Sequence, residues 1–315
     1  MKKIIKLEPS LHANIWGGNK LREYGKVSDA DRIGESWELS FVPEAPATAD
    51  GIPTVDAFPK SSWGKRAQNF DFFPVLTKFI DAKEKLSVQV HPDDAYALAN
   101  EGQYGKSEMW YVVDAEEGAG LYMGLERRAE LDEISKKIAD GTVEELLSFK
   151  KVKSGDVFFI PAGTIHAIGG GVLIYEIQQN STLTYRLYDY MRRDKNGNLR
   201  ELHVEKALRV LTPDVYSYKT ENDGDNRSGK LIGKCEYFTT REYALSGEEV
   251  KLTVTDESFL MITAVKGGGV LSYDDDNGSE IKIEITAGDT YFAPAANDAF
   301  DVTLSGNATF ITVEV

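Results

Sequence analysis

One pattern, present twice, constrains the fold of this chain more than any other feature. From Gly155 it reads GDVFFIPAGTIHAI and from Gly288 it reads GDTYFAPAANDAF, with Gly-Asp, an aromatic pair and Pro-Ala at identical offsets. A glycine turn, a short apolar strand and a proline stop punctuate a β unit. Their recurrence makes a duplicated β domain the simplest account. The stretch KTENDGDNRSGK, from Lys219 to Lys230, has no apolar residue and is the natural boundary between the copies. It divides the chain into a first domain, 1–220, and a second, 231–315. Where the first copy has His166 the second has Ala299, so only the first retains a potential ligand.

The remaining pattern agrees with a mainly β chain. Short runs rich in β-branched and aromatic residues predict strands at Leu86–His91, Met109–Val113, Val172–Gln179, Leu183–Tyr190, Leu252–Val254 and Ile281–Ile285. Helical periodicity is confined to Asp94–Glu101, Leu131–Phe149 and His203–Leu211. The middle of these breaks at Gly141, after which Thr142 and Glu145 have the spacing of a capping box. The expected architecture is two jelly-roll β-sandwich domains, with helical excursions in the first.

Composition narrows the partners. A formal net charge of -15 repels nucleic acid over most of the surface. The N-terminal MKKIIKLEPS lacks the long apolar run of a signal peptide, and no later run approaches membrane-spanning length. The single cysteine, Cys235, excludes an intrachain disulfide and a cysteine-built metal site. The expected compartment is the cytoplasm. An anionic substrate would need a few locally placed cations.

Chemistry concentrates around two of the four histidines. In an extended segment Gln89 and His91 point to one face while Leu86, Val88 and Val90 point to the other. Glu108 opens the run EMWYVV, and His166 follows the turn PAGTI. For a single histidine, burial with backbone partners is the commoner outcome. Here three separate segments each offer a ligand, and two imidazoles, a carboxylate and an amide oxygen suit a borderline divalent ion with a position left open. Zinc, one per chain, fits best; Mn, Fe and Co are chemically admissible. His12 and His203 lack such company. The acidic run Asp274-Asp275-Asp276-Asn277-Gly278 lacks the spacing of a calcium loop and reads as a solvated hairpin turn.

These residues also carry a family resemblance. Gly155-x5-Pro161-x-Gly163-x2-His166 resembles the second cupin motif, and Gln89-x-His91 the start of the first. FPVLTKFIDAKEKLSVQVHPDD, GKSEMWYVV and PAGTIHAIGGGVLIYEIQQNSTLTYRLYDY, with the early IWGGNKL and GESWELS, are similar to type I mannose-6-phosphate isomerases in their short bacterial form. The resemblance spans most of residues 14–210. It implies a pair of cupin domains, a zinc held by residues matching Gln89, His91, Glu108 and His166, and a phosphorylated sugar as substrate. Two departures stand out. The family's Lys-Pro-Glu is Lys106-Ser107-Glu108 here, and its Asp four residues before the active-site arginine is Thr182.

Aldose–ketose interconversion moves a proton between C1 and C2 through an enediol. It needs a polarised carbonyl, a base and an anchor for the remote phosphate. Lys106 and Arg186, both at family positions, are the candidates for orienting the substrate and stabilising charge. A hairpin centred on Ser181 would place Glu176 opposite Arg186, where it could position the guanidinium or act as the base. The alternatives are an Fe- or Mn-dependent cupin oxygenase and a non-catalytic sugar-binding cupin. Trp16-Gly17-Gly18 and Glu35-Ser36-Trp37-Glu38, which also match the family, read by themselves as a tight turn and a strand.

Overall fold

The computed structural model describes residues 2–193, 196–217 and 229–315. The structure is mainly β, as expected, and among the described residues its strands pair antiparallel in three sheets. A six-stranded sheet runs in the order Val157–Ile160, Glu108–Ala115, Val172–Gln179, Val75–Ala82, Glu35–Leu39, Ser10–His12. A five-stranded sheet runs Leu147–Lys151, Gly120–Leu125, His166–Ile168, Val88–Val90, Tyr185–Tyr188. The third sheet, of nine strands, is built around Thr239–Val254, Phe300–Glu314 and Leu260–Asp274.

Side-chain alternation explains the layering. Along Glu108–Ala115, Trp110 and Val112 pack with Leu121, Met123 and Ile168 of the five-stranded sheet. Met109, Tyr111 and Val113 point the other way, against Met261, Phe292 and Val313 of the nine-stranded sheet. The six-stranded sheet is therefore the middle layer, and Val75–Ala82 and Val172–Gln179 are buried along their whole length. Strands covered on both faces read as continuous rather than alternating apolar runs. The outer face of the five-stranded sheet is closed by the helices Leu131–Ala139 and Val204–Val210.

The repeated pattern is realised twice in the same hydrogen bonds. Gly155 and Gly288 both adopt positive φ, 89° and 98°, where glycine avoids the Cβ clash. Gly155 N donates to Val112 O and Gly288 N to Ala264 O, each at 2.8 Å. Asp156 and Asp289 each accept a backbone N–H from three residues upstream, Lys153 and Thr286. Equivalent strands follow, Val157–Ile160 and Thr290–Ala293. In the first, Ile160 pairs with Glu108; in the second, Ala293 pairs with Leu260. The second copy thus has Leu260 and Ala299 in the places of Glu108 and His166. Hydrogen bonding does not respect a division at 220, because Ile5–Glu8, Thr48–Ala49 and Ile52–Pro53 join the nine-stranded sheet. The division into 1–220 and 231–315 is thus proposed for the repeat and not for the sheets, and 219–228 of its boundary stretch lie outside the described residues.

Three local expectations need correction. No hairpin joins Glu176 to Arg186: Val172–Gln179 lies in the six-stranded sheet and Tyr185–Tyr188 in the five-stranded one. Glu176 pairs with Lys78 and Trp110, while Arg186 pairs with Gln89. Val88 and Val90 do pack away from Gln89, against the helices, but Leu86 lies before the strand and packs inward beside Trp16 and Trp110. The Thr142 side chain makes no capping bond; Glu145 pairs with Lys137, and the residues after Thr142 form a single 3-10 turn, Val143–Leu146.

Candidate metal and active site

The four expected donors converge between the six- and five-stranded sheets. His166 pairs in register with Gln89 on the neighbouring strand, which brings the Gln89 amide nitrogen 3.3 Å from His166 Nε2. His91 follows the same strand. Glu108 reaches across from the opposite sheet, with Oε1 3.2 Å from His166 Nε2 and Oε2 3.5 Å from His91 Nε2. Ligand atoms of His91, Glu108 and His166 all lie within 4.8 Å of one another. Around a tetrahedral ion bound at about 2.0–2.1 Å, donors stand roughly 3.4 Å apart.

The two imidazoles are oriented from behind. Nδ1 of His91 lies 2.7 Å from Leu183 O, and Nδ1 of His166 2.9 Å from Thr164 O. Those carbonyls place the proton on Nδ1 and leave Nε2 with its lone pair facing the cluster. Burial drives His91 well below the ordinary histidine range, with the Lys106 charge adding to the effect. Burial likewise lowers His166, to about 4. Both rings are therefore neutral near pH 7, the form that binds a metal. Among the described residues, His91 Nε2 and Glu108 Oε1 are buried without a hydrogen bond, while Glu108 Oε2 meets the Lys106 ammonium at 2.7 Å. Orphaned buried acceptors that face each other are costly unless a cation joins them. The donor set fits a divalent ion, with Gln89 contributing once its amide oxygen is turned inward.

A row of alternating charges runs away from this cluster across the middle sheet. Lys106 Nζ lies 2.7 Å from Glu108 Oε2 and 3.8 Å from Glu176 Oε2. Lys78 Nζ follows at 3.6 Å from Glu176 and 3.4 Å from Glu35. Trp110 Nε1 donates to Glu176 Oε1 at 3.0 Å, and Trp37 Nε1 to Glu35 Oε2 at 2.7 Å. Burial raises the proton affinity of Glu176, and the nearby lysines only partly oppose it. Burial by itself would lower Lys106, but Glu108 and Glu176 outweigh it and hold its proton more tightly than usual. Three carboxylates and two ammonium groups leave this buried row with one negative charge in excess. A divalent cation reverses that sign, which is what an anionic substrate requires.

Arg186 lies opposite Gln89, so it shares the cavity-facing side of the sheet. Its Nε donates to Ser87 Oγ at 3.2 Å and its Nη1 to Glu201 O at 2.9 Å. Thr182 is exposed, and its hydroxyl donates to Gln103 Oε1 at 3.3 Å. His12 packs against Trp37 with tilted rings whose centroids are 4.3 Å apart, beside its strand partner Glu35 at the far end of the charged row, and His203 packs by Arg186. Asp275 caps its own turn by accepting from Asn277 N and Ser279 N, the structural role expected of the acidic run.

Comparison with known proteins places this geometry. A family model for the catalytic domain of phosphomannose isomerase type I matches residues 4–119. The chain is 37% identical over 277 residues to the mannose-6-phosphate isomerase of Streptococcus mutans, covering 85% of this chain and 87% of that one. It is also 37% identical over 272 residues to the mannose-6-phosphate isomerase ManA of Bacillus subtilis, covering 83% and 85%. The chain belongs to the type I phosphomannose isomerase family. The crystal structure of the mannose 6-phosphate isomerase from Bacillus subtilis superposes with a TM-score of 0.85, at 36% identity and 99% coverage of both chains. The apo enzyme from Salmonella typhimurium, at 17% identity, shares the fold with a TM-score of 0.73.

Against this phosphomannose isomerase framework, the sequence reading missed Lys78, the pair Glu35 and Trp37, and Ser87. Lys78 was legible as an anomaly, a lysine inside a strand whose every position is buried, which requires anionic partners on that face. Glu35 and Trp37, read as plain strand residues, alternate with Ser36 and Glu38 and so face the charged row. Ser87, two residues before Gln89, gave no signal at all.

Proposed function

We propose that this protein is a zinc-dependent aldose–ketose isomerase of the cytoplasm, interconverting mannose 6-phosphate and fructose 6-phosphate through an enediol. The observation that carries the reading is the donor set of buried His91, Glu108 and His166 with half-buried Gln89, set at the end of the row Lys106–Glu176–Lys78. One zinc per chain, held by those four residues, would supply a Lewis acid for the sugar's carbonyl and the developing oxyanion.

The chain's own groups supply the rest. Glu176 has one oxygen fixed by Trp110 and the other, Oε2, buried without a hydrogen bond among the described residues. A carboxylate with raised proton affinity and a free oxygen is suited to take a carbon-bound proton and return it to the neighbouring carbon. Lys106 holds Glu108 and offers positive charge next to the reacting end. Arg186, fixed by Ser87 and Glu201, presents its guanidinium from the facing sheet and can grip an oxyanion or the phosphate. Two positioned cations on opposite walls would align the sugar before the proton moves.

The test is metal analysis of the purified protein joined to a coupled assay for fructose 6-phosphate. Stoichiometric zinc with turnover supports the proposal. Metal without turnover favours a sugar-binding cupin, and iron with oxygen consumption favours an oxygenase.

A further inference from the structure

Ser107 stands between Lys106 and Glu108, where the family pattern has proline. Its surroundings show what the serine contributes. The backbone N–H of Ser107 donates to Gln179 Oε1 at 2.7 Å, and its carbonyl accepts from Gln179 N at 3.1 Å. These two bonds tie the residue before Glu108 to the end of the adjoining strand. Its hydroxyl reaches the other way and accepts the N–H of Ala162 at 3.1 Å.

Ala162 belongs to the turn between Pro161 and His166, and that turn touches both histidine ligands. Gly163 N donates to His91 O at 2.8 Å, while Thr164 O receives His166 Nδ1. Ser107, immediately before Glu108, therefore bonds to the end of the adjoining strand at Gln179 and to the segment that orients His91 and His166. Gln179 extends the brace, since its Nε2 donates to Asp94 Oδ1 at 3.0 Å and Asp94 Oδ2 accepts from Tyr237 OH. A proline at 107 has neither N–H nor hydroxyl and would lose both bonds, leaving the Ala162 N–H without this acceptor.

We propose that Ser107 is a positioning residue that fixes the spacing of Glu108 from His166 and His91, and so the affinity of the site for its metal. The proposal rests on the metal-site reading above. Groups that orient metal ligands typically change affinity by roughly 10- to 100-fold when removed.

The experiment uses the full chain as wild type, Ser107→Ala, Ser107→Thr and Ser107→Pro. Zinc affinity is measured by competition with a chelator, and melting temperature is measured without and with zinc. The expected result is a zinc affinity weakened roughly 10-fold or more in Ser107→Ala and Ser107→Pro, with Ser107→Thr close to wild type. Unchanged zinc affinity in Ser107→Ala overturns the proposal, and a lower metal-free melting temperature alongside it would mark the role as structural only. Threonine behaving like alanine overturns it as well, because the hydroxyl would then not be the operative group. A wild type that binds no zinc overturns the metal-site reading itself, a failure distinct from equal affinities across the set.

Discussion

Glu108 and His166 belong to different sheets, yet Oε1 of the one lies 3.2 Å from Nε2 of the other. A bound divalent ion would therefore link two layers of the sandwich and stabilise the folded chain by mass action, by about 2.7 kcal/mol at a free concentration of 100 times Kd. His166→Ala is expected to abolish this increment as well as turnover. Calorimetry with and without zinc, after chelation of the purified protein, checks it. A mutant still stabilised by zinc as wild type is would remove His166 from the ligand set.

Glu176→Gln should lower kcat by about 10²- to 10⁴-fold while zinc content stays unchanged, the range for losing a general base. The pH profile carries a second check. A base works unprotonated, so activity falls as pH drops through its pKa, and burial has moved that pKa above the ordinary carboxylate value. Lys78, 3.6 Å away, opposes the shift. Lys78→Met should therefore move the acid limb of log kcat/KM to higher pH. A limb that stays in place, or moves down, would contradict the assignment.

The proposed metal donors were legible in the sequence because each sits in a short segment with its own signature: QVHP, the start of EMWYVV, and the turn before His166. The repeat was legible for the same reason, since a glycine turn and a four-residue strand are local. The partner of Arg186 was not. Residues 180–184 carry the chain from one sheet to the other, and nothing local distinguishes that crossing from a hairpin turn. The wrong partner for Arg186 followed, and with it the wrong wall of the cavity, because Arg186 lies on the five-stranded sheet and Glu176 on the six-stranded one. Lys78 and Glu35 escaped notice for a related reason, because their pairing depends on which strands become neighbours.

Lys26 and Glu38 form an ion pair at 2.8 Å, both side chains within 6% exposure. Lys26 also donates to Gly288 O at 2.6 Å, so it fastens the first copy of the repeat to the glycine turn of the second. Ser36 and Thr290 complete the bonding of the Glu38 carboxylate. Removing the cation alone leaves a buried charge. Lys26→Met is expected to destabilise the protein by about 3–5 kcal/mol, and Lys26→Met with Glu38→Leu by clearly less. Chemical denaturation of the three proteins measures the difference.

Arg186→Ala should reduce kcat and kcat/KM together, by about 10²- to 10³-fold, with zinc binding intact. Among the described residues the guanidinium bonds to Ser87 and Glu201 and reaches the donor set only through the Ser87 hydroxyl, which donates to Gln89 Oε1 at 3.4 Å, so its loss leaves His91, Glu108 and His166 in place. A group that only held the substrate would raise KM and spare kcat. An Arg186→Ala enzyme with near-normal kcat and full zinc would falsify the role given to it.

Thr182 takes the place of the family's aspartate, and its surroundings decide what restoring the acid would do. Its backbone N–H and its hydroxyl both donate to Gln103 Oε1, at 3.2 and 3.3 Å, on an exposed groove beside Phe72. An aspartate would keep the backbone bond, but its side chain cannot donate there, and its charge would face the Gln103 carbonyl oxygen unless that amide turned over. The adjacent Leu183 carbonyl receives His91 Nδ1, so strain at 182 would also loosen a metal ligand. Glu176, meanwhile, already lies beside Lys106 and Lys78 with one oxygen free. Thr182→Asp is therefore expected to leave kcat unchanged or lower it. Paired kinetics on Thr182→Asp, Glu176→Gln and the double variant separate the possibilities. If aspartate at 182 raises kcat about tenfold or more, and does so even with Gln at 176, the proton work belongs at 182 and not to Glu176.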